Sequence, residues 1–329
     1  MQSSCLAELI MTRMLSEAKG RSWERIQYRV LLFARKLLVS GKERFIRYNL
    51  GGAEIILPFA HDLPLIRSAF PQYSTNVGRL CSYLCDKYPD LHLIDIGANI
   101  GDTVAIIREF NRCPILCVEG DQYYFDILTE NIRRARFPSV VATRSFVATY
   151  SGEIKGHLVS VAGTAHFVED KTKPMSTIKL SDLLDDFPEF QSPKMLKIDT
   201  DGFDCSILRS ELEWLGERKP VIFFEYDPFF FGGQSYDGAL IFEDLSSVGY
   251  TFAIIYDNFG DYLTSVDLHR DARIMADLQN YYVGRQGLEY ADVAVFHRED
   301  RELAERIRTK EADWSLRSRE ERPGRAKKG

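Results

Sequence analysis

No stretch of the 329-residue chain comes near the ~20 consecutive apolar residues that a membrane-spanning helix needs. The best run, Val30–Val39, is broken by Arg35 and Lys36. Glu8, Arg13 and Glu17 interrupt the first apolar residues, which argues against a secretory leader. Histidine is scarce, six in all, and none lies beside the Cys81/Cys85 or Cys113/Cys117 pairs. Those two C-x-x-x-C spacings therefore read as buried thiols of a reducing cytoplasm rather than zinc sites. The middle of the chain also lacks positive charge. Residues 1–50 hold ten Lys/Arg against four Asp/Glu and 298–329 hold eleven against eight, leaving 51–297 at about −15. An acidic centre argues against a nucleic-acid groove. The basic ends read as solvated charge, with peripheral contact to an anionic membrane surface as the alternative.

What the chain does have is the run Leu93-Ile94-Asp95-Ile96-Gly97-Ala98-Asn99-Ile100-Gly101-Asp102-Thr103. An apolar strand ends in a carboxylate, turns through glycines and enters an apolar-periodic helix, the place where α/β sheets bind nucleotide-like ligands. A dinucleotide fingerprint would put glycines at 97, 99 and 102, and only Gly97 fits. Asn99 adds bulk where pyrophosphate should approach, and Asp102 adds negative charge. No Gly-Lys-Ser/Thr follows, so a P-loop is excluded. A loop bracketed by Asp95 and Asp102 suits a ligand with positive groups and no phosphate. S-adenosylmethionine, with its sulfonium and ammonium, fits that description.

From Leu91 onward apolar runs alternate with helix-periodic segments, the pattern of a doubly wound parallel sheet. Strands are expected at 93–96, 115–118, 139–143, 195–198, 221–224, 252–256 and 292–297. Helices are expected at 101–110, 122–136, 180–186, 204–214 and 237–248. Seven strands with a late return strand fit an α/β class I methyltransferase fold better than a six-stranded dinucleotide fold. That fold is Rossmann-like, with a mostly parallel sheet and helices on both faces. Ahead of it lie amphipathic helices over 5–40, a hairpin over 44–60 and a helix near 77–87. The stripe Trp23, Ile26, Val30, Phe33 and Leu37 is expected to pack on the main domain. Residues 145–168 read as a hairpin excursion and 258–290 as a long insertion. The division is then 1–90, a helical and hairpin extension; 91–298, the main domain; and 299–329, a charged helix disordered from 315.

Carboxylates end three of these strands. Glu119, followed by Gly120 and Asp121, closes the second strand 24 residues after Asp95. A carboxylate there offers several acceptor positions to a ribose diol. Asp199, Asp201 and Asp204 crowd the next strand end, with Lys197 just before them. Asp201 and Asp204 read as caps or first-turn acids, while Asp199, at the strand tip, is the better functional candidate. Asp199 and Asp201 suit a general base, or with Glu225 the oxygen ligands of a divalent metal, and the sequence leaves those roles open. Lys197 reads as a neutralising partner, a proton acceptor or cover for the sheet. His61, His166 and His269 are the histidines weighed as bases, with His61 and His166 kept. The loop Phe229–Gly233 beyond Glu225 is unusually aromatic and reads as a pocket wall or as packing under the N-terminal helices.

Taken together, Asp95-Ile-Gly-Ala-Asn-Ile-Gly101, Val118-Glu119, Leu180-Ser-Asp-Leu-Leu184, Leu196-Lys-Ile-Asp-Thr-Asp-Gly-Phe-Asp204 and Phe224-Glu225 resemble the FkbM-type methyltransferases. The likeness covers roughly 91–255, with the motifs in the family's order. It implies an S-adenosylmethionine-dependent enzyme that O-methylates a hydroxyl of a sugar, a polysaccharide precursor or another natural product. By position, Asp95, Gly97, Asn99 and Gly101 would line the methionine end, with Ala98, Asp102 and Gly120 beside them. Glu119 would hold the ribose and Asp199 would face the transferred methyl. The family usually has Glu where this chain has Asp201 and Asp204, which retracts each carboxylate by one methylene. That departure motivates a second reading, a noncatalytic S-adenosylmethionine-binding protein. An NAD(P)-dependent oxidoreductase is the weaker third, because its glycine loop differs. The expected partner is a small-molecule or glycan acceptor in the cytoplasm, in a pocket shaped by the region before 91 and the 258–290 insertion.

Overall fold

The computed structural model describes residues 1, 3–17, 22–39, 43–161, 164–200, 202–229 and 235–321. Its strands, in chain order, are β1 (Phe45–Leu50), β2 (Ala53–Pro58), β3 (Leu93–Ile96), β4 (Ile115–Glu119), β5 (Val140–Arg144) and β6 (Gly152–Val161). They continue with β7 (Thr164–Thr177), β8 (Met195–Ile198), β9 (Val221–Tyr226), β10 (Tyr250–Asp257), β11 (Tyr262–Asp267) and β12 (Ala291–His297). Eight of them form the main sheet in the order β11-β10-β12-β9-β8-β3-β4-β5. The strands β5, β4, β3, β8 and β9 run parallel, and β12 enters antiparallel to both β9 and β10. This is a class I methyltransferase fold with one strand added at an edge.

The central strands read as continuous apolar runs because both faces are covered. Alternate residues feed alternate cores: Leu93, Ile115, Met195 and Val221 join one, Ile94, Leu116, Leu196 and Ile222 the other. The first core also takes in Ala7 and Met11 of the first helix, the β1–β2 hairpin, the helix Thr75–Cys85 and Leu303, Ala304 and Ile307. The hairpin is locked down at two points. Asn131, fully buried, brackets Ile56 with an accepted bond of 2.7 Å and a donated one of 2.8 Å, and its amide also reaches Ile100 O. Gly51, at φ +63°, lies so close to Ala105 that an added Cβ would fall 1.8 Å from its carbonyl oxygen.

Four expectations need correction. The sheet has eight strands rather than seven, because β11 lies inside the stretch read as an insertion. It is an edge strand in which only Val266 is buried, so its sequence shows little two-residue alternation. That stretch also contains the helix Ala272–Gly284. The ribbon β6–β7 is longer than 145–168 suggested and is separate from the main sheet, its second arm running to Thr177. The helix Ser22–Val39 does not bury its stripe: Val30, Phe33 and Leu37 are 62%, 63% and 58% exposed, and the Trp23 and Ile26 side chains lie outside the described set. Finally, 315–321 are helical, within Arg301–Glu321.

The full reach of that expected helix was hidden by its chemistry. Its inner stripe is Leu303, Ile307, Glu311 and Ser315, so a charge occupies an apolar position. Glu311 takes a bidentate pair from Arg79 of the helix Thr75–Cys85, the shortest bond 2.7 Å, with the side chains 4% and 0% exposed. Trp314 stacks on the same guanidinium, 3.5 Å from its ring centroid. Glu311→Ala would leave Arg79 buried without its counter-charge, which costs about 3–5 kcal/mol. The expected result is a lowered urea midpoint at an unchanged m value. A midpoint equal to wild type would show that the pair adds nothing to stability.

Candidate functional site

The site is built at the C-terminal ends of the parallel strands, beginning with the turn after β3. Gly97 N–H and Ala98 N–H both bond to Val118 O, and Asp199 N–H bonds to Ile96 O, so three strand ends are tied together. Gly97 (φ +78°) must be glycine: an added Cβ would fall 1.8 Å from the Asp199 carbonyl oxygen. Asn99 adopts the left-handed conformation (φ +47°), which asparagine tolerates better than most residues. Gly101 (φ +83°) precedes the helix Asp102–Phe110. Ala98 and Gly101 shape this turn from behind rather than line a cavity.

Two cavities open on either side of the turn and share Gly97, Asn99 and Asp199. The first, ≈ 70 Å³, is walled by Ile96, Val118, Phe146, Val147 and Phe203, with Glu119 and Gly120 at its rim. Glu119 accepts the N–H of Asn99 through Oε2 and that of Asp121 through Oε1, both at 2.8 Å. Each oxygen retains a further lone pair. Burial pushes the Glu119 carboxyl up to about 7 against the pull of those two bonds. An apolar slot with one carboxylate at its edge suits a flat ring carrying a diol.

The second cavity, ≈ 200 Å³, is acidic. Among the described residues, Asp62, Asp102, Asp199, Glu225 and Asp292 line it with a single ammonium, Lys197. Register explains the arrangement. Asp95 pairs with Lys197, Lys197 with Phe223, and Glu225 with Asp292, and two-residue alternation puts all of them on one face. Lys197 Nζ donates to Asp95 Oδ1 at 2.9 Å and lies 3.3 Å from Asp199 Oδ2. Burial opposes its charge, but Asp95 and Asp199 hold it well above the usual lysine range. Such an ammonium keeps its proton and acts as a neutralising cation rather than a proton acceptor.

The residues expected from the sequence divide as follows. Gly97, Asn99, Asp102, Glu119, Gly120, Lys197, Asp199 and Glu225 meet at the two cavities. Asp95 does not line them; it is fully buried beneath the turn, and its second oxygen, Oδ2, has no hydrogen-bond partner among the described residues. Asp204 bonds Thr200 at the start of the helix Asp204–Ser210, and burial raises its carboxyl to about 6. Asp201 lies outside the described residues, as do residues 230–233 of the aromatic loop. His166 is on β7, in the separate ribbon, and its side chain is likewise outside the described set. His269 bonds Ser246 away from both cavities. Among the described residues, no group of three or more His, Cys, Asp or Glu is placed to hold a metal ion.

His61 does line the acidic cavity, but its Nδ1 accepts the N–H of Leu63, and burial lowers its pKa to about 4. Sequence reasoning missed Phe146 and Phe203 on one side and Tyr73, Asn76, Tyr290 and Asp292 on the other. Asp292 had a usable signal. An acid opening the antiparallel return strand must sit at the edge where the parallel strands end.

Strand order, with the cleft at this edge, is that of a class I methyltransferase fold. Residues 95–252 match the family model of the Methyltransferase FkbM domain. Among solved structures the chain is similar to Methyltransferase FkbM from Methylobacillus flagellatus KT, at 16% identity over 50% of this chain and 39% of that one, TM-score 0.35. It is also similar to the O-methyltransferase from Bacillus cereus in complex with SAH, at 12% identity over 67% and 80%, TM-score 0.38. A third is M. jannaschii TYW2 in complex with AdoMet, at 12% identity over 78% and 88%, TM-score 0.39. The chain thus spans less than half the length of the first of these. No curated protein matches it.

Proposed function

We propose that the chain is an S-adenosylmethionine-dependent O-methyltransferase acting on a hydroxyl of a sugar or a related natural product. The observation that carries this reading is the pair of cavities meeting at Gly97, Asn99 and Asp199, one apolar with a carboxylate rim, the other acidic. The residues fit the cofactor. Val118, Phe146 and Phe203 offer a slot for the purine, Glu119 accepts from the ribose hydroxyls, and Asp199 supplies negative charge at the junction toward a cationic methionine end. When bound, S-adenosylmethionine supplies an electrophilic methyl group on a sulfonium.

The acidic cavity is then the acceptor's. Five carboxylates against Lys197 favour neutral or cationic acceptors and disfavour a phosphate at this spot. Tyr73 and Tyr290, whose phenols burial holds above the usual tyrosine range, keep their protons and can donate to sugar oxygens. Holding acceptor and methyl in line provides much of the acceleration in such a displacement. The test is calorimetry with S-adenosylmethionine, followed by mass spectrometry of a panel of methyl glycosides incubated with protein and cofactor. Micromolar binding and a 14 Da mass gain on a glycoside are expected, about what one added CH₂ unit on a hydroxyl gives. Absence of cofactor binding overturns the assignment; binding with no methylated product across the panel favours the noncatalytic reading.

A further inference from the structure

We propose that Asp292, oriented by Asn76, takes the acceptor's proton in the acidic cavity. The inference rests on the methyltransferase reading above and names the base it leaves open.

Position comes first. β12 runs against the parallel strands, so its opening residues reach the edge where the site lies. Asp292 stands directly opposite Glu225 of β9, and both line the acidic cavity with Asp199. Asn76, fully buried on the helix Thr75–Cys85, donates from Nδ2 to Asp292 Oδ2 at 2.8 Å. Its own Oδ1 accepts the N–H of Val77 at 3.0 Å, which fixes the amide's orientation and leaves Nδ2 as the end toward Asp292. Asp292 Oδ1 has no hydrogen-bond partner among the described residues. The carboxylate is therefore held by one oxygen, with the other available to a ligand.

Several other groups of the cavity are occupied. Lys197 is an ammonium held by two carboxylates, and Asp199 is drawn to it at 3.3 Å. His61 uses Nδ1 to accept from Leu63, so its neutral ring presents an Nε2–H donor rather than a base. Tyr73 and Tyr290 remain protonated.

The basicity is also suitable. Burial pushes the Asp292 carboxyl up to about 7, with Asn76 and Lys197 pulling down and Asp199 and Asp257 pushing up. The groups facing it are Asn76, Tyr73, Lys197, Asp199 and Glu225, with Asp257, Tyr256, Tyr282 and Tyr290 on the β10 and 272–290 side. A base poised near neutrality is the effective kind. In the step, the acceptor's hydroxyl proton passes to Asp292 Oδ1 and an oxygen lone pair forms the O–CH₃ bond. The C–S bond pair stays on sulfur, so the sulfonium becomes a neutral thioether. Asp292 must be ionised to accept the proton, so turnover rises with pH through about 7 and then levels.

Two measurements on the full chain test this. Carboxyl carbon NMR of ¹³C-Asp protein, with Asp292→Asn to assign the signal, reads the titration directly. A midpoint near 7 is expected, and one in the ordinary aspartate range overturns the proposal. Turnover of a methyl glycoside should fall roughly 10²–10⁴-fold in Asp292→Asn, the usual worth of a general base, and lose its pH limb. Asn76→Ala should lower turnover less than Asp292→Asn does and move the limb upward, because it removes a bond that orients the carboxylate and favours its charged form. Asp292→Asn with wild-type turnover and an unchanged limb overturns the proposal. Calorimetry separates the two readings: Asp292→Asn keeps wild-type affinity for S-adenosylmethionine, whereas failure of the wild type to bind it defeats the methyltransferase reading itself.

Discussion

Asp95→Ala is expected to lower folding stability by about 3–5 kcal/mol, because among the described residues it leaves the buried Lys197 ammonium with only the half-exposed Asp199 at ion-pair distance. Asp199 is 45% exposed, so water screens that remaining attraction. The loss should appear as a shifted denaturant midpoint in the absence of any ligand. A second substitution separates stability from binding. In Asp95→Leu with Lys197→Met both charges are gone, and replacing a buried pair by apolar groups of similar size is often neutral or better. The double variant should therefore recover most of the midpoint. Its affinity for S-adenosylmethionine should be reduced, since the turn above Asp95 has lost the charge beneath it. If the single variant is as stable as wild type, the pair is not what holds β3 to β8. If the double variant binds with full affinity, Asp95 serves the fold alone.

How legible this was in the sequence depended on the kind of signal. Strands buried on both faces announce themselves as unbroken apolar runs, so 93–96, 115–118, 195–198 and 221–224 were readable to within a residue or two. The glycine turn was readable because its backbone demands are severe: Gly97 cannot carry a Cβ against Asp199. Glu119 was readable from its place at a strand end. What resisted reading was tertiary. Asp95 looks like a cavity residue in one dimension, yet the register sets it under the turn against Lys197. The walls Phe146, Phe203, Tyr73 and Tyr290 come from loops whose composition says nothing about where they fold back. β11 was obscured because it is a solvent-facing edge, and the last turns of the helix Arg301–Glu321 because its inner positions go to Glu311 and Ser315. Asp292 needed the direction of β12, which only the late return strand could suggest.

Glu119 is where the cleft should couple binding to protons, and the expected effect is large. In the free protein burial raises its carboxyl to about 7. A group raised in this way contributes stability that is fully present below its ordinary value near 4.5 and is lost as pH rises through about 7. Ribose hydroxyls donating to its oxygens would favour the charged form and lower that value. Binding near pH 6.5 should then release protons, and affinity should rise with pH until it levels above about 7. Calorimetry with S-adenosylhomocysteine in two buffers of different ionisation enthalpy reads the proton release directly. Glu119→Gln should abolish it, and for a second reason should weaken binding ~10²-fold or more. Its NH₂ would face the N–H of Asn99 or of Asp121, donor against donor, while one charge-assisted bond to the ligand is lost, each worth about 1.5–3 kcal/mol. Proton-neutral binding by the wild type at pH 6.5, or an unaltered affinity in Glu119→Gln, would place the ligand's diol elsewhere. The apolar slot beside Glu119 would then need another occupant.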